Sequence, residues 1–207
     1  RCGDDALTPL GYSFLLTGLL EQGEIRSLDI ELMKRRHNQL ANEMTFGSHP
    51  ADWFGFLRLI LDGEMELAEQ QANTMLAAQQ HDGSNFRALH STQIGMIRWM
   101  QGQMDGAEDH FLAARREHPD QLFWAASLAW LWLNQGRRES AEAILRSFPS
   151  LGQLPRDRYW LPTLTVLAEI ARVSGTREHA QELRTLLLPF EDRLVPVGVG
   201  VAFWGTV

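Results

Sequence analysis

Residues 88–121 read ALHSTQIGMIRWMQGQMDGAEDHFLAARREHPDQ. Apolar side chains recur at helical spacing up to Met100, Gly102 interrupts them, and a second run carries Ala107, Phe111 and Ala114 before Pro119 closes it. Glycine ends a helix cheaply because it tolerates positive φ, and proline cannot continue one. The spacing therefore predicts two antiparallel helices near 86–101 and 104–118, with the small Ala107 where they cross. Asp105 and Glu108 fall in the first turn of the second helix, against the positive end of its dipole.

The same arrangement recurs along the chain. Gly63 with Ala68, Gly136 with Ala141, Gly175 with Ala180 and, more weakly, Gly23 with Leu28 repeat the pairing of Gly102 with Ala107, at glycine spacings of 40, 39, 34 and 39 residues. Acidic residues again follow the glycine: Glu64 and Glu66, Glu139 and Glu142, and Glu178. Periods of this length mark helical repeat architectures, in which each hairpin buries its apolar face against its neighbours. Helices are expected near 6–21, 25–45, 51–62, 65–80, 86–101, 104–118, 121–135, 138–148, 158–174 and 176–188. They group into hairpins near 6–45, 50–80, 86–118, 121–148 and 158–189. Turn signals separate them at Gly47–Pro50, His81–Ser84, Pro119-Asp120, Pro149–Pro155 and Pro189, with Asp120 and Asp157 as candidate N-caps. The expected fold is all-α, a right-handed solenoid of about five hairpins over residues 1–192.

The tail 193–207 differs. Val195, Val197, Val199 and Val201 alternate with Pro196, Gly198 and Gly200, a pattern that suits a strand or an extended linker. The preferred reading is that Ala202 to Val207 begins a further, truncated repeat, because isolated strands do not fold alone.

The series Gly95, Ala107, Phe111, Ala114 and Pro119 resembles a tetratricopeptide unit, and the other copies resemble a longer-helix variant of it. The stretch Leu183 to Val207, LRTLLLPFEDRLVPVGVGVAFWGTV, with Gly152 to Trp160 (GQLPRDRYW) and Leu167-Ala168-Glu169 upstream, is similar to the tetratricopeptide-like regions of large bacterial signal-transduction ATPase regulators. These are the LuxR-type transcriptional activators and the class III adenylate/guanylate cyclases. The resemblance covers roughly 50–207 and is weak over 1–49. It implies a regulatory repeat region within a longer parent carrying ATPase and either helix-turn-helix or cyclase domains. This chain shows no G-x-x-x-x-G-K-[ST] phosphate loop and no basic recognition helix.

Composition narrows the function classes. A net charge of −7 and a pI near 5.5 argue against a nucleic-acid surface. No apolar stretch approaches the roughly 18 residues that span a bilayer. The single cysteine, Cys2, leaves no internal disulfide and no multi-cysteine zinc site, which fits a reducing, cytoplasmic setting. Eighteen of the 19 basic side chains are Arg, which fits a GC-rich bacterial genome. The absence of an initiator Met and of a signal-peptide pattern after Arg1 suggests a piece of a longer protein.

Catalytic and metal motifs are weak. None of the seven histidines (His37, His49, His81, His90, His110, His118 and His179) makes an H-x-x-x-H pair, so no metal or other cofactor is expected. The carboxylates Glu64, Glu66 and Glu69, and Asp105, Glu108 and Asp109, cluster at helix starts, where the dipole accounts for them. Ser84, His90 and Asp82 lack a nucleophile elbow. Lys34-Arg35-Arg36 reads as a solvated helix face.

Seven tryptophans carry the functional expectation. Aligning the copies on their glycines puts Trp53 and Leu57, then Thr92, Met96 and Trp99, then Phe123, Ala126 and Trp130 on the concave face formed by the first helix of each hairpin. Asn134, Thr165, Glu169 and Arg172 make its polar C-terminal end. Trp124, Trp132 and Trp160 are expected to pack between helices. The groove suits a protein or peptide partner or a small amphipathic ligand, with Trp99 and Trp130 as its foremost exposed aromatics. The expected function is thus a non-catalytic binding module. One alternative is an oligomerisation scaffold, dimeric and with an occluded groove; a more remote one is an enzyme centred on Glu169, Arg172 and Asn134.

Overall fold

The computed structural model describes residues 7–41, 50–78, 84–148, 150–174, 177–198 and 200–207. Among these, ten α-helices follow in order: α1 (Leu7–Glu21), α2 (Ile25–Ala41), α3 (Pro50–Leu61), α4 (Met65–Ala77), α5 (Ser84–Met100), α6 (Met104–Glu117), α7 (Leu122–Asn134), α8 (Arg138–Leu145), α9 (Trp160–Ser174) and α10 (Arg177–Leu187). Short 3₁₀ turns stand at Leu151–Gln153 and Leu188–Phe190. Two strands, β1 (Leu194–Val197) and β2 (Ala202–Thr206), end the chain. The fold is all-α apart from that final hairpin.

The glycine turns form by one mechanism. Gly23, Gly63, Gly102 and Gly136 adopt φ of 69°, 80°, 76° and 77°. Each donates its N–H three residues back, and the following residue donates five back, as Gln103 N to Arg98 O at 2.7 Å and Arg137 N to Trp132 O at 2.7 Å. That paired bonding satisfies the orphan carbonyls of a helix end and reverses the chain. The next helix begins two residues after the glycine every time. Gly175 lies outside the described residues.

Consecutive helices pack as pairs, α1 on α2, α3 on α4, α5 on α6, α7 on α8 and α9 on α10. Successive pairs meet through α2 with α3, α4 with α5, α6 with α7, and α7 with α9. Leu28, Ala68, Ala107 and Ala141 are fully buried at the crossings; Ala180, the fifth equivalent, is exposed. Three junctions between pairs carry an ion pair of fixed spacing. An acid six residues after the turn glycine meets an arginine 29 residues further on: Asp29 with Arg58, Glu69 with Arg98, and Glu108 with Arg137.

Two expectations need correction. Gln121, not Asp120, precedes α7, and it makes no side-chain cap. Asp157 stands three residues before α9, and its Oδ1 accepts the Tyr159 N–H at 2.8 Å in the turn that leads into that helix. More consequentially, Ala202–Thr206 starts no further helical repeat. It pairs antiparallel with Leu194–Val197, in register Leu194 with Thr206, Pro196 with Phe203 and Val197 with Ala202. Gly198 (φ 65°) and Gly200 (φ 77°) form the turn. A two-stranded hairpin is marginal alone in water, but this one is laid on the helices: β1 packs on α1 and α9, and β2 on α5.

Candidate functional site

The hairpin occupies the aromatic face expected to be an open groove. Trp204 of β2 stacks on Trp99 of α5, ring centroids 4.9 Å apart and planes 14° from parallel. It meets Trp130 of α7 edge-on at 5.3 Å and Phe123 of α7 at 6.1 Å. Trp99 and Trp130 are themselves in edge contact at 5.1 Å. Aromatic pairs in these geometries contribute about 0.5–1.5 kcal/mol each beyond area burial, so Trp204 anchors the hairpin to two helices at once. Next to it, the Phe203 N–H donates to Met96 Sδ at 3.3 Å.

The turn of the hairpin is fitted as closely. A Cβ on Gly200 would run into the ring of Phe54, which is wholly buried in α3. Gly198 lies against the Tyr159 ring, which stacks on Phe123 at 6.1 Å. Burial pushes the Tyr159 hydroxyl above its ordinary value, against the opposing influence of Arg158. Val201 reaches a small gap beside Trp53 and Phe86. The void left between β2 and the groove wall of Thr92, Met96, Trp99 and Phe123 is about 10 Å³, barely one water.

The structure brings Met96, Trp99, Phe123 and Trp130 together on α5 and α7. Their exposure differs: Trp99 stays half-buried, and Phe123 is buried. Trp130 is only 8% exposed and Met96 4%, because Trp204 and Phe203 cover them. Leu57 is fully buried and Trp53 half-buried, in edge contact with Phe86 at 6.3 Å. Trp124 is buried between helices, and Trp132 donates to Glu108 Oε1 at 2.7 Å.

The polar end does not converge. Asn134 Nδ2 donates to the Trp130 carbonyl of its own helix at 2.8 Å. Arg172 pairs with Glu169 one turn away at 2.9 Å, and their side chains are 70% and 43% exposed. The buried hydroxyls Ser127, Thr163 and Thr165 each donate to the carbonyl four residues back. Among the described residues, no group of three His, Cys, Asp or Glu side chains is placed to hold a metal ion.

Phe54, Tyr159, Gly198, Gly200, Phe203 and Trp204 are the parts that sequence reasoning missed. The Gly–Val alternation and Trp204 were the available signal. No family model matches the chain, and no curated protein and no solved structure is significantly similar to it. Among the described residues, no helix is long and apolar enough to cross a membrane.

Proposed function

We propose that this chain is a non-catalytic, tetratricopeptide-like binding module: a right-handed solenoid of five helical hairpins from a bacterial signal-transduction regulator, whose concave groove receives an extended polypeptide. The supporting observation is the hairpin itself, whose Trp204 sits in the pocket of Trp99, Phe123 and Trp130. A groove that accommodates β-structured chain in cis has the shape and apolar chemistry for a similar segment in trans. Residues 194–207 act as a resident occupant that a partner must displace, and the partner is a peptide segment with a leading aromatic rather than a small amphiphile.

Tethering gives the hairpin an effective concentration in the millimolar range. A labelled peptide RLVPVGVGVAFWGTV is therefore expected to bind the native chain negligibly at micromolar concentration. Gly200→Ala combines the left-handed backbone strain with the collision against Phe54 and should evict the hairpin. In that variant the peptide should bind by fluorescence anisotropy at micromolar concentration. If Gly200→Ala keeps its helical circular dichroism and exposes Trp204, yet captures no peptide, the groove reading is wrong.

A second reading, an oligomerisation scaffold with an occluded groove, has two observations in its favour: Trp204 and Phe203 fill the groove, and apolar side chains stand exposed at the N-terminal end. Phe14 and Leu15 on α1 and Ile30 and Met33 on α2 are exposed, Phe14 to 63% and Met33 to 70%. Light scattering decides it: a concentration-dependent dimer that Met33→Glu dissociates would support the scaffold, and a monomer throughout would remove it.

A further inference from the structure

The regular stitching between hairpins stops at one place, and a cavity stands there. Following the 29-residue spacing, Glu142 of α8 should meet an arginine at 171, but that position is Ala171, in α9. Glu142 pairs instead with Arg138 at 2.8 Å and with Arg146 at 3.7 Å, both neighbours on its own side of the seam. α8 is short, eight residues, and among the described residues it does not pack closely on α9. The result is a cavity of about 330 Å³, against about 10–20 Å³ for the gaps beneath the hairpin, beside Trp53 and beside Asp157.

Its size falls within the roughly 300–1,000 Å³ of small-molecule sites, and its chemistry is divided as theirs is. Leu145, Phe148, Leu151, Leu167, Ile170 and Leu183 make an apolar floor. Arg138, Arg146 and His179 stand around it with one carboxylate, Glu142, so the guanidinium charge exceeds what is neutralised locally. Arg138 and Arg146 are 62% and 70% exposed and present donors to an incoming group without being buried by it.

We propose that this cavity between α8, α9 and α10 is a binding site for a small amphipathic anion, an apolar body carrying one carboxylate. The apolar part enters between Phe148 and Ile170, and the carboxylate takes hydrogen bonds from Arg138 and Arg146, displacing their interaction with Glu142 in part. Arginine suits this role because its planar fork pairs with carboxylates bidentately. The site lies apart from the aromatic groove and does not depend on how the groove is used.

The test is calorimetric titration of the full chain with decanoate, decanol and decyltrimethylammonium. Decanoate should bind with one-to-one stoichiometry, decanol at least tenfold more weakly, and the cation not measurably. Ala171→Arg puts an arginine side chain into the lining and fills the space, so it should abolish decanoate binding. Should that variant fail to fold, Arg138→Gln/Arg146→Gln alters only exposed side chains. It should lower decanoate affinity at least tenfold and leave decanol unchanged. No decanoate binding to the native chain, equal binding of all three probes, or binding that survives both variants would each overturn the proposal.

Discussion

At the scale of single residues, the seam between α4, α5 and α6 brings together Glu69, His90 and His110, whose titration is shifted. Burial holds His90 below the ordinary imidazole value, helped by the nearby His110, while Glu69 pulls the other way. Burial also lowers His110, with Arg98 acting in the same direction and Asp109 and Glu69 opposing. A base whose pKa is lowered on folding is preferred neutral in the folded chain. Its stability contribution is complete above the unfolded value of about 6.5 and declines as pH falls below it. Glu69 behaves differently: the hydrogen bonds from Arg98 hold it low. Its contribution persists down to about pH 4.3, the unfolded glutamate value, and is lost as pH falls through the lowered one. The melting temperature should thus drop in two stages, between pH 7 and 5 and again below about 4. His90→Gln with His110→Gln should erase the first stage and keep the second. A native profile flat from pH 7 to 5 would contradict the histidine assignment.

At the scale of elements, the three 29-residue rungs differ from the ion pairs within helices. Arg98 reaches Glu69 through two nitrogens, at 2.7 and 2.5 Å, with both side chains about 70% covered. Such a bidentate, partly desolvated pair should couple by about 1 kcal/mol, whereas the exposed Arg138–Glu142 pair within α8 should give about 0.3–0.5 kcal/mol. Double-mutant cycles with glutamine replacements measure both, and equal couplings would deny the rungs any special part in the stacking. These elements also show what a sequence reveals. Helices and turns were legible because each is specified by neighbours within a few residues: Gly102 reverses the chain through bonds to Arg98 and Trp99. The groove members Met96, Trp99, Phe123 and Trp130 were legible for the same reason, as positions on helices of known phase. The hairpin was not, because its strands are stabilised by Phe54, Met96, Trp99 and Tyr159, at least 35 residues away in sequence. The arginine rungs left a readable spacing, but nothing local distinguishes them from other surface charges.

At the scale of the whole molecule, the hairpin alters how the array holds together. Stacked helical pairs touch only their neighbours, so their stability is a sum of local and nearest-neighbour parts, and ends can fray independently. Here β1 touches both α1 and α9, the first helix and the ninth, while β2 packs on α5 between them. That contact couples elements that stacking leaves separate, and it should make unfolding a single cooperative event. Trp204→Ala removes the anchor shared by Trp99, Phe123 and Trp130 while leaving every helix–helix junction in place. The native chain should then unfold in urea with one transition, coincident by far-ultraviolet circular dichroism and tryptophan emission. In Trp204→Ala, the emission change should precede the loss of helix, and the apparent m-value should fall because the units no longer melt together. If the variant instead keeps coincident transitions and the native m-value at a lower midpoint, the hairpin is a passive cover and the helices alone carry the cooperativity.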